Sequence, residues 1–389
     1  MTFFIPTYEQ CRLICDANDN FTFYETKHVV DNFNISIFNY RLAMPPIFFE
    51  PIVGNKEITA HELRGITFVF NTDGTLYSHY LLMDKFFNLN QSECSTYALM
   101  IKETIKEIAY KEDGSILSFI KLPNGRIIAK TKASFEAHQA ERAQELYNTN
   151  ESIKKIVQWC LDNNIVPIFE FVSPSNRVVL EYTKTDLVVI KLRNNLTGEY
   201  IDINSLPPDI KDGVSIVKTF DGLTLDDLIG KCETDKGYEG FVVTFTSGKM
   251  IKLKLKDYCE LHNLHTEQLH REDSIIYLII NEQIDDILCQ LSDGDERKDM
   301  IYDIIDLVNN HIHRMHHAIT ELIKSYNGVK KDFYLLNKNN PVIYYAMAHL
   351  NRGKDIYTLI KDKALKDTYF LGEARSWLQN EKLQNSKIK

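Results

Sequence analysis

The sequence predicts an α+β fold, with antiparallel sheets over residues 1–262 and an all-helical segment over residues 263–389. Three observations carry this. Short apolar stretches bounded by Gly, Asn and Pro turns recur as far as Leu255, as in strands linked by hairpins. One block inside this region, Ala133–Asn163, is rich in Glu, Gln, Ala and Leu and lacks Gly and Pro. From about residue 263 proline falls to one, Pro341, and helix-like periodicity runs to the end.

Residues 1–110 read as mixed structure, in which Ile66–Phe70 is a strand. Arg64-Gly65 precedes it and a turn at Asp73-Gly74 folds the chain back. Ile116–Lys121 and Arg126–Lys130 are strands joined by Leu122-Pro123-Asn124-Gly125, whose Asn-Gly pair suits a tight hairpin. Ala133–Asn163 reads as helix, broken into two near Asn148-Thr149-Asn150. Apolar strands follow at Ile165–Val172, Val178–Tyr182 and Leu187–Leu192, then a loop holding Pro207-Pro208. Thr224–Cys232 is a short helix whose start, Thr224-Leu225-Asp226-Asp227, is a capping box with Asp in the Glu position. Gly240–Thr246 and Met250–Leu255 are strands turned at Ser247-Gly248.

A chain of 389 residues with 44% hydrophobic and 25% charged residues has room for two globular domains. Its net charge of −9 excludes a protein that coats nucleic acid non-specifically, because bulk phosphate binding needs a basic surface. A local basic site remains open. No apolar run of spanning length occurs and the N-terminus has no secretory pattern. Seven cysteines are scattered without a CxxC pair, which points to reduced thiols. A cytoplasmic protein without a membrane partner is expected.

The central chemical feature is Lys111-Glu112-Asp113-Gly114-Ser115. Alone it also fits a solvated turn before a strand. Downstream come Phe169-Glu170-Phe171-Val172, Glu239-Gly240 and Lys252-Leu253-Lys254, each setting charge into or beside an apolar strand. Lys252 and Lys254 are two apart and share a strand face, which is costly to bury unless it meets anions. Phosphates fit. A lysine attacking phosphorus must first lose its proton, and neighbouring cations with partial burial make that easier. Glu170 and Glu239 are oxygen ligands suited to Mg²⁺, and Gly114 lets the backbone turn closely beside a nucleotide.

This ordered set resembles the covalent nucleotidyltransferase superfamily of ligases and capping enzymes, and within it the phage T4-type single-stranded RNA ligases. The stretches that carry the resemblance are Leu63-Arg64-Gly65-Ile66, Lys85–Asn90, Lys111–Ser115, Phe169–Pro174, Asn176-Arg177, Val179-Leu180, Val188–Arg193, Thr197–Tyr200, Glu239-Gly240 and Lys252–Lys254. The resemblance implies an antiparallel-sheet nucleotidyltransferase (ATP-grasp-like ligase) domain over 1–262. An all-α C-terminal domain over 263–389, with a role in RNA specificity, would follow. Lys111 would carry AMP taken from ATP, and Gly114 and Gly240 would border the nucleotide. Arg64 and Lys85 would contact the phosphates or the AMP, Phe87 would lie against adenine, and Lys132 would add a further cation. Glu170 would face ribose or metal, Glu239 would serve the metal-linked steps, and Lys252 and Lys254 would contact the α-phosphate. The metal would be Mg²⁺ or Mn²⁺. Asp285-Asp286 resembles an acidic pair of the family's C-terminal domain and supplies two further metal candidates, although an exposed helix face accounts for it more simply.

The implied reaction joins an RNA 5′-phosphate to a 3′-hydroxyl through lysyl-AMP and an RNA-adenylate. Its partners would be single-stranded RNA or a broken tRNA anticodon loop, acted on after a separate end-healing kinase and phosphatase. The enzyme is expected to be a monomer working in RNA repair, in the host cytoplasm if phage-encoded. Two alternatives share many of these residues: a GTP-dependent capping-type guanylyltransferase, and a non-catalytic RNA-binding protein that has kept the fold. His311, His313, His316 and His317 read as surface or RNA-facing, and His262, His265 and His270 as structural or phosphate-facing. The basic tail over 382–389 is expected to fray.

Overall fold

The computed structural model describes residues 3–17, 22–50, 58–174, 182–259, 272–288, 291, 296–366, 370 and 372–376. The chain divides into two compact units, Met1–His262 and Asn263–Lys389.

Among the described residues the first unit holds three sheets, with strands numbered here in chain order. The first sheet runs β1 (Phe23–Val30), β2 (Phe33–Tyr40), β3 (Ile66–Phe70), β4 (Leu76–Tyr80). The second contains β7 (Ser115–Lys121), β8 (Ile127–Thr131), β9 (Ile165–Val172), β10 (Asp186–Asn194) and β11 (Tyr200–Ile201), in the order β11-β10-β9-β7-β8. The third contains β5 (Phe87–Asn88), β6 (Ile105–Lys111), β12 (Thr219–Phe220), β13 (Gly240–Phe245) and β14 (Met250–Lys254), in the order β12-β6-β13-β14-β5. These pairings are antiparallel, except that β14 meets the two-residue β5 in parallel.

All eight residues of β9 are buried, because both faces of this central strand are covered. Phe169 and Phe171 face a core made with the helices His138–Thr149 and Glu151–Asp162. Val166 and Ile168 face the opposite way, against Leu82, Met83 and Ile120. Strand alternation puts Glu170 on the side of Val166 and Ile168. The helix Glu151–Asp162 buries Ile153, Ile156, Val157 and Cys160, an i, i+3, i+4, i+7 stripe in which each large aliphatic side chain contributes roughly 1.5–3 kcal/mol. Asn150 ends one helix and starts the next, its side chain accepting from the Ser152 and Ile153 amides, a cap that contributes about 1 kcal/mol.

One buried ion pair locks the segment that leads to the site. Arg193 on β10 donates to both Glu62 oxygens, at 2.8 and 2.5 Å, and to the carbonyls of Leu82 and Gly198. Its guanidinium is fully buried, so it stays in place only because nearly all of its donors are used.

The second unit is helical among its described residues, built from Glu272–Ile280, Asp285–Leu288, Glu296–Lys324, Lys330–Asn337, Ile343–Arg352 and Ile356–Ala364. The long helix buries Ile301, Ile304, Ile305, Val308, Ile312, Met315 and Ile319 along one stripe. Gly353, at φ +64°, ends the helix Ile343–Arg352 in the left-handed conformation that glycine adopts without strain.

Several expectations change. Helix begins only at His138, so residues 133–137 are not part of it. Pro208 is not in a loop but starts the helix Pro208–Lys211, a position where the missing amide costs nothing. His311 is not on the surface: it is buried and meets the Phe370 ring edge-on at 4.8 Å. Of Val178–Tyr182 only Tyr182 is described, and Asn176-Arg177, His262, His265, His270 and residues 382–389 lie outside the described residues. The six described cysteines are free thiols. Among the described residues no helix is long and apolar enough to cross a membrane.

Candidate active site

Lys111 is the last residue of β6 and sits beside Gly240, the first of β13, which in turn sits beside Lys254 on β14. Three neighbouring strands therefore bring Lys111, Gly240 and Lys254 into one row. Gly240 has φ +152°, and a Cβ there would lie 2.0 Å from the Leu253 carbonyl oxygen, so only glycine lets the strands close. Glu239 precedes it and bridges the row. One carboxylate oxygen accepts from Lys111 Nζ at 2.6 Å, and the other meets Lys254 Nζ at 2.8 Å. Burial raises the Glu239 pKa, but Lys111 and Lys254 outweigh it and hold the group below the usual range.

After Lys111 the chain crosses from the third sheet to the second through Glu112-Asp113-Gly114 and enters β7. Gly114 passes so close to β9 that a Cβ would come within 2.3 Å of the Phe171 carbonyl oxygen and 3.1 Å of Glu170 Cγ. Two tyrosines hold this turn. Tyr258 donates to the buried Asp113 carboxylate at 3.0 Å, and the Tyr182 hydroxyl accepts from the Asp113 amide at 2.9 Å.

A cavity of about 220 Å³ opens beside these groups. Arg64, Lys111, Glu112, Glu170, Lys191 and Lys252 supply its charged wall, and Phe86, Ile116, Ile190, Val217 and Val242 much of its apolar wall. Arg64 is steadied by a 3.2 Å hydrogen bond to the Met83 carbonyl, and Lys252 lies 4.8 Å from the centre of the Phe86 ring. Burial, joined by the like charges of Lys85, Arg64 and Lys111, holds Lys252 well below the usual lysine range. Burial pushes Glu170 up to about 8, against the pull of Lys111 and Arg64. Apolar enclosure beside converging cations suits a planar base with a polyphosphate.

Of the residues singled out in the sequence, Arg64, Lys111, Gly114, Glu170 and Lys252 line the cavity, and Glu239, Gly240 and Lys254 stand directly behind Lys111. Lys85 and Lys132 gather instead around Tyr40, at 5.0 and 5.1 Å from its ring. Phe87 does not line the cavity. It is buried against Phe48 and Phe49, and its neighbour Phe86 takes the cavity side. Alternation along an extended segment sends consecutive side chains to opposite faces, and that signal was available in the sequence. Tyr40, Tyr182 and Tyr258 were missed, and no local pattern marks them.

The donor set can meet a hard divalent cation only in company. Among the described residues no three His, Cys, Asp or Glu side chains are grouped to hold a metal. Glu239 is engaged by two ammonium groups, and the carboxylates on the cavity wall are Glu170 and Glu112, the latter accepting from the Tyr182 hydroxyl at 3.1 Å. One carboxylate with substrate phosphates and water is an ordinary set for Mg²⁺. Asp285 begins a helix of the second unit, and the Asp286 side chain lies outside the described residues.

A family model described as RNA ligase matches residues 62–258. A curated protein of Thermovibrio ammonificans, named provisionally as an RNA ligase, is 27% identical over 261 residues. That match covers 65% of each chain, so it spans just under two thirds of that relative's length. An RNA ligase mutant of Naegleria gruberi solved with AMP and manganese aligns at a TM-score of 0.35 and 16% identity, over 43% of this chain and 54% of that one. An archaeal ATP-dependent RNA ligase aligns at a TM-score of 0.41 and 14% identity, over 95% of this chain and 81% of that one.

Proposed function

Since this chain belongs to the RNA ligase family, we propose that it joins RNA 5′-phosphate and 3′-hydroxyl ends using ATP, with AMP carried on Lys111. The observation that carries this reading is the Glu239 carboxylate held between Lys111 and Lys254, next to a cavity walled by Arg64, Glu170 and Lys252. It gives one lysine a proton acceptor and leaves other cations for phosphate.

In the first step a bond forms between Lys111 Nζ and the α-phosphorus of ATP. The bond from that phosphorus to the β-bridging oxygen breaks, and pyrophosphate leaves with the electron pair. Going from ammonium to phosphoramidate, Nζ gives up two protons, one to Glu239, whose oxygen already accepts from it at 2.6 Å, and one to the leaving pyrophosphate. Arg64 and Lys252 offset charge on the phosphates, with Lys85 and Lys132 adding to the positive field from around Tyr40. The base lies in the apolar part, against Phe86 rather than Phe87. Glu170, with the phosphates, would hold Mg²⁺ or Mn²⁺, and the metal would supply neutralisation of phosphate charge. AMP then passes to an RNA 5′-phosphate, and the 3′-hydroxyl of a second end displaces it. Splitting the condensation in this way replaces one difficult step with easier ones. Single-stranded RNA ends, including a broken tRNA anticodon loop left by a separate kinase and phosphatase, are the substrates this reading assigns.

The test uses ATP labelled at the α- or the γ-phosphate, α-labelled GTP, and a denaturing gel. Label retained from α-ATP alone, and lost in Lys111→Ala, is the expected result. Label from GTP would replace this reading with a capping-type transferase. No covalent label on folded protein that is not already adenylylated would end it.

A further inference from the structure

Lys191 stands on the cavity wall, and the phosphate chemistry at Lys111 does not use it. It reaches the wall through an irregularity in its strand. β10 pairs with β9 through Val189↔Phe169 and then Lys191↔Ile168, so Ile190 is an extra, bulged residue. Plain alternation would put Lys191 on the side of Val189, in the apolar core with Phe169 and Phe171. The bulge shifts the alternation by one, and Ile190 and Lys191 both come to the cavity. From there the buried Lys191 side chain crosses to the third sheet. Its Nζ donates to the Glu107 carboxylate on β6, and to the Thr244 hydroxyl on β13 at 3.1 Å. Glu107 and Thr244 are register partners, as are Lys111 and Gly240 at the other end of the same two strands. Glu107, Ala109 and Lys111 share one face of β6, with Glu107 roughly 13 Å along the strand from Lys111. Lys191 therefore bounds the cavity at the end away from Lys111, with Ala109 and Val242 on the wall between them.

Two considerations separate this arrangement from a simple tie between sheets. Joining two sheets needs no charge, and apolar side chains would do it without the cost of desolvating an ion pair. An ammonium also has three donors. Glu107 and Thr244 take two of them, and the third is left for an acceptor inside the cavity. With phosphate at the Lys111 end and an apolar stretch between, the part of a nucleotide that reaches Lys191 is the base. Adenine carries unprotonated ring nitrogens on its edges, and each can accept a hydrogen bond. We propose that Lys191 binds the base, donating its third N–H to a ring nitrogen of adenine, while Glu107 and Thr244 fix the direction of the ammonium. This rests on the reading of the cavity as the ATP site. The bulge at Ile190 and the contacts of Lys191 come from this chain alone.

The experiment titrates the full-length protein, stripped of any bound AMP with pyrophosphate, with AMP and with its 1-deaza, 3-deaza and 7-deaza analogues in a calorimeter. AMP has no pyrophosphate to lose, so no covalent step interferes. Each analogue replaces one ring nitrogen by C–H. One of the three should bind the parent about tenfold more weakly than AMP, the loss expected for a hydrogen bond from a charged donor. Lys191→Met, which keeps the length of the stem, should bind AMP about tenfold more weakly than the parent. It should no longer distinguish AMP from that analogue, because both changes remove the same contact. Glu107→Gln, which keeps the ammonium and an acceptor for it, should retain the distinction. If Lys191→Met does not fold, Lys191→Met/Glu107→Gln, which leaves no unpaired carboxylate, takes its place. A merely structural lysine would weaken AMP and all three analogues alike, and that pattern overturns the proposal, as does a parent indifferent to all three nitrogens. Lysyl-AMP formation from labelled ATP is followed in parallel. Its absence in a parent that still binds AMP would defeat the ligase reading, and the analogue comparison would still decide the role of Lys191.

Discussion

Tyr258 donates a 3.0 Å hydrogen bond to Asp113, a buried carboxylate two residues beyond Lys111. Removing that donor leaves a buried acceptor short of a partner, which costs about 1–3 kcal/mol. Tyr258→Phe is therefore expected to lower thermal stability and to slow lysyl-AMP formation several-fold, because the turn that presents Lys111 loosens. The apparent affinity for ATP should change less than the rate. Single-turnover labelling across ATP concentrations separates the two, and an unchanged rate would remove Tyr258 from any positioning role.

Gly240→Ala should be far more damaging than its size suggests. The added methyl would lie 2.0 Å from the Leu253 carbonyl oxygen and 2.8 Å from Lys254 Cα, clashes with backbone that no rotamer relieves. β13 and β14 would have to part, taking Lys254 and Glu239 away from Lys111. Covalent labelling should fall by at least about a hundredfold, as expected when a reacting group is displaced by about 1 Å. Labelling of the folded variant at the parent rate would show that the row of three strands is not needed.

Glu170 gives a pH prediction. Its folded-state pKa is pushed up to about 8 by burial, against about 4.5 for the free side chain. Between those values the folded state binds the extra proton, so stability falls as pH rises from about 4.5 to about 8. Glu170→Gln lacks that ionisation. It should be more stable than the parent above pH 8 by a few kcal/mol, a margin that shrinks toward pH 5, while metal-dependent labelling drops sharply. Urea unfolding of both proteins at intervals between pH 5 and pH 9 checks this, and parallel curves would sink it.

Phe86 and Phe87 should separate cleanly. Phe86→Ala is expected to raise the KM for ATP about tenfold with a small effect on melting temperature, since Phe86 lines the cavity. Phe87→Ala removes a buried ring packed on Phe48 and Phe49 and should cost about 3–5 kcal/mol of stability, with KM little changed where the protein remains folded. The reverse pattern would return the base-stacking role to Phe87.

Features that depend on a few consecutive residues were legible in the sequence. The Asn124-Gly125 hairpin joins β7 to β8, Thr224 and Asp227 form their capping box, the helical block breaks at Asn150, and β9 has the span its apolar run suggested. In each case local backbone preference or local periodicity decides the outcome, so neighbours in sequence carry enough information. The residue types at the candidate site were legible for a different reason: a lysine, glycines, glutamates and paired lysines recur in a fixed order.

Tertiary structure alone decided which of them meet. Glu239 lies 128 residues from Lys111 and reaches it because β13 pairs with β6 in a register that Gly240 permits. The partnership of Arg193 with Glu62, the burial of His311, the position of Phe86 on the cavity wall and the arrival of Tyr258 at Asp113 were settled in the same way. Strand register and the desolvation of charged groups depend on packing between distant segments, and a buried charge survives only where that packing supplies its partner.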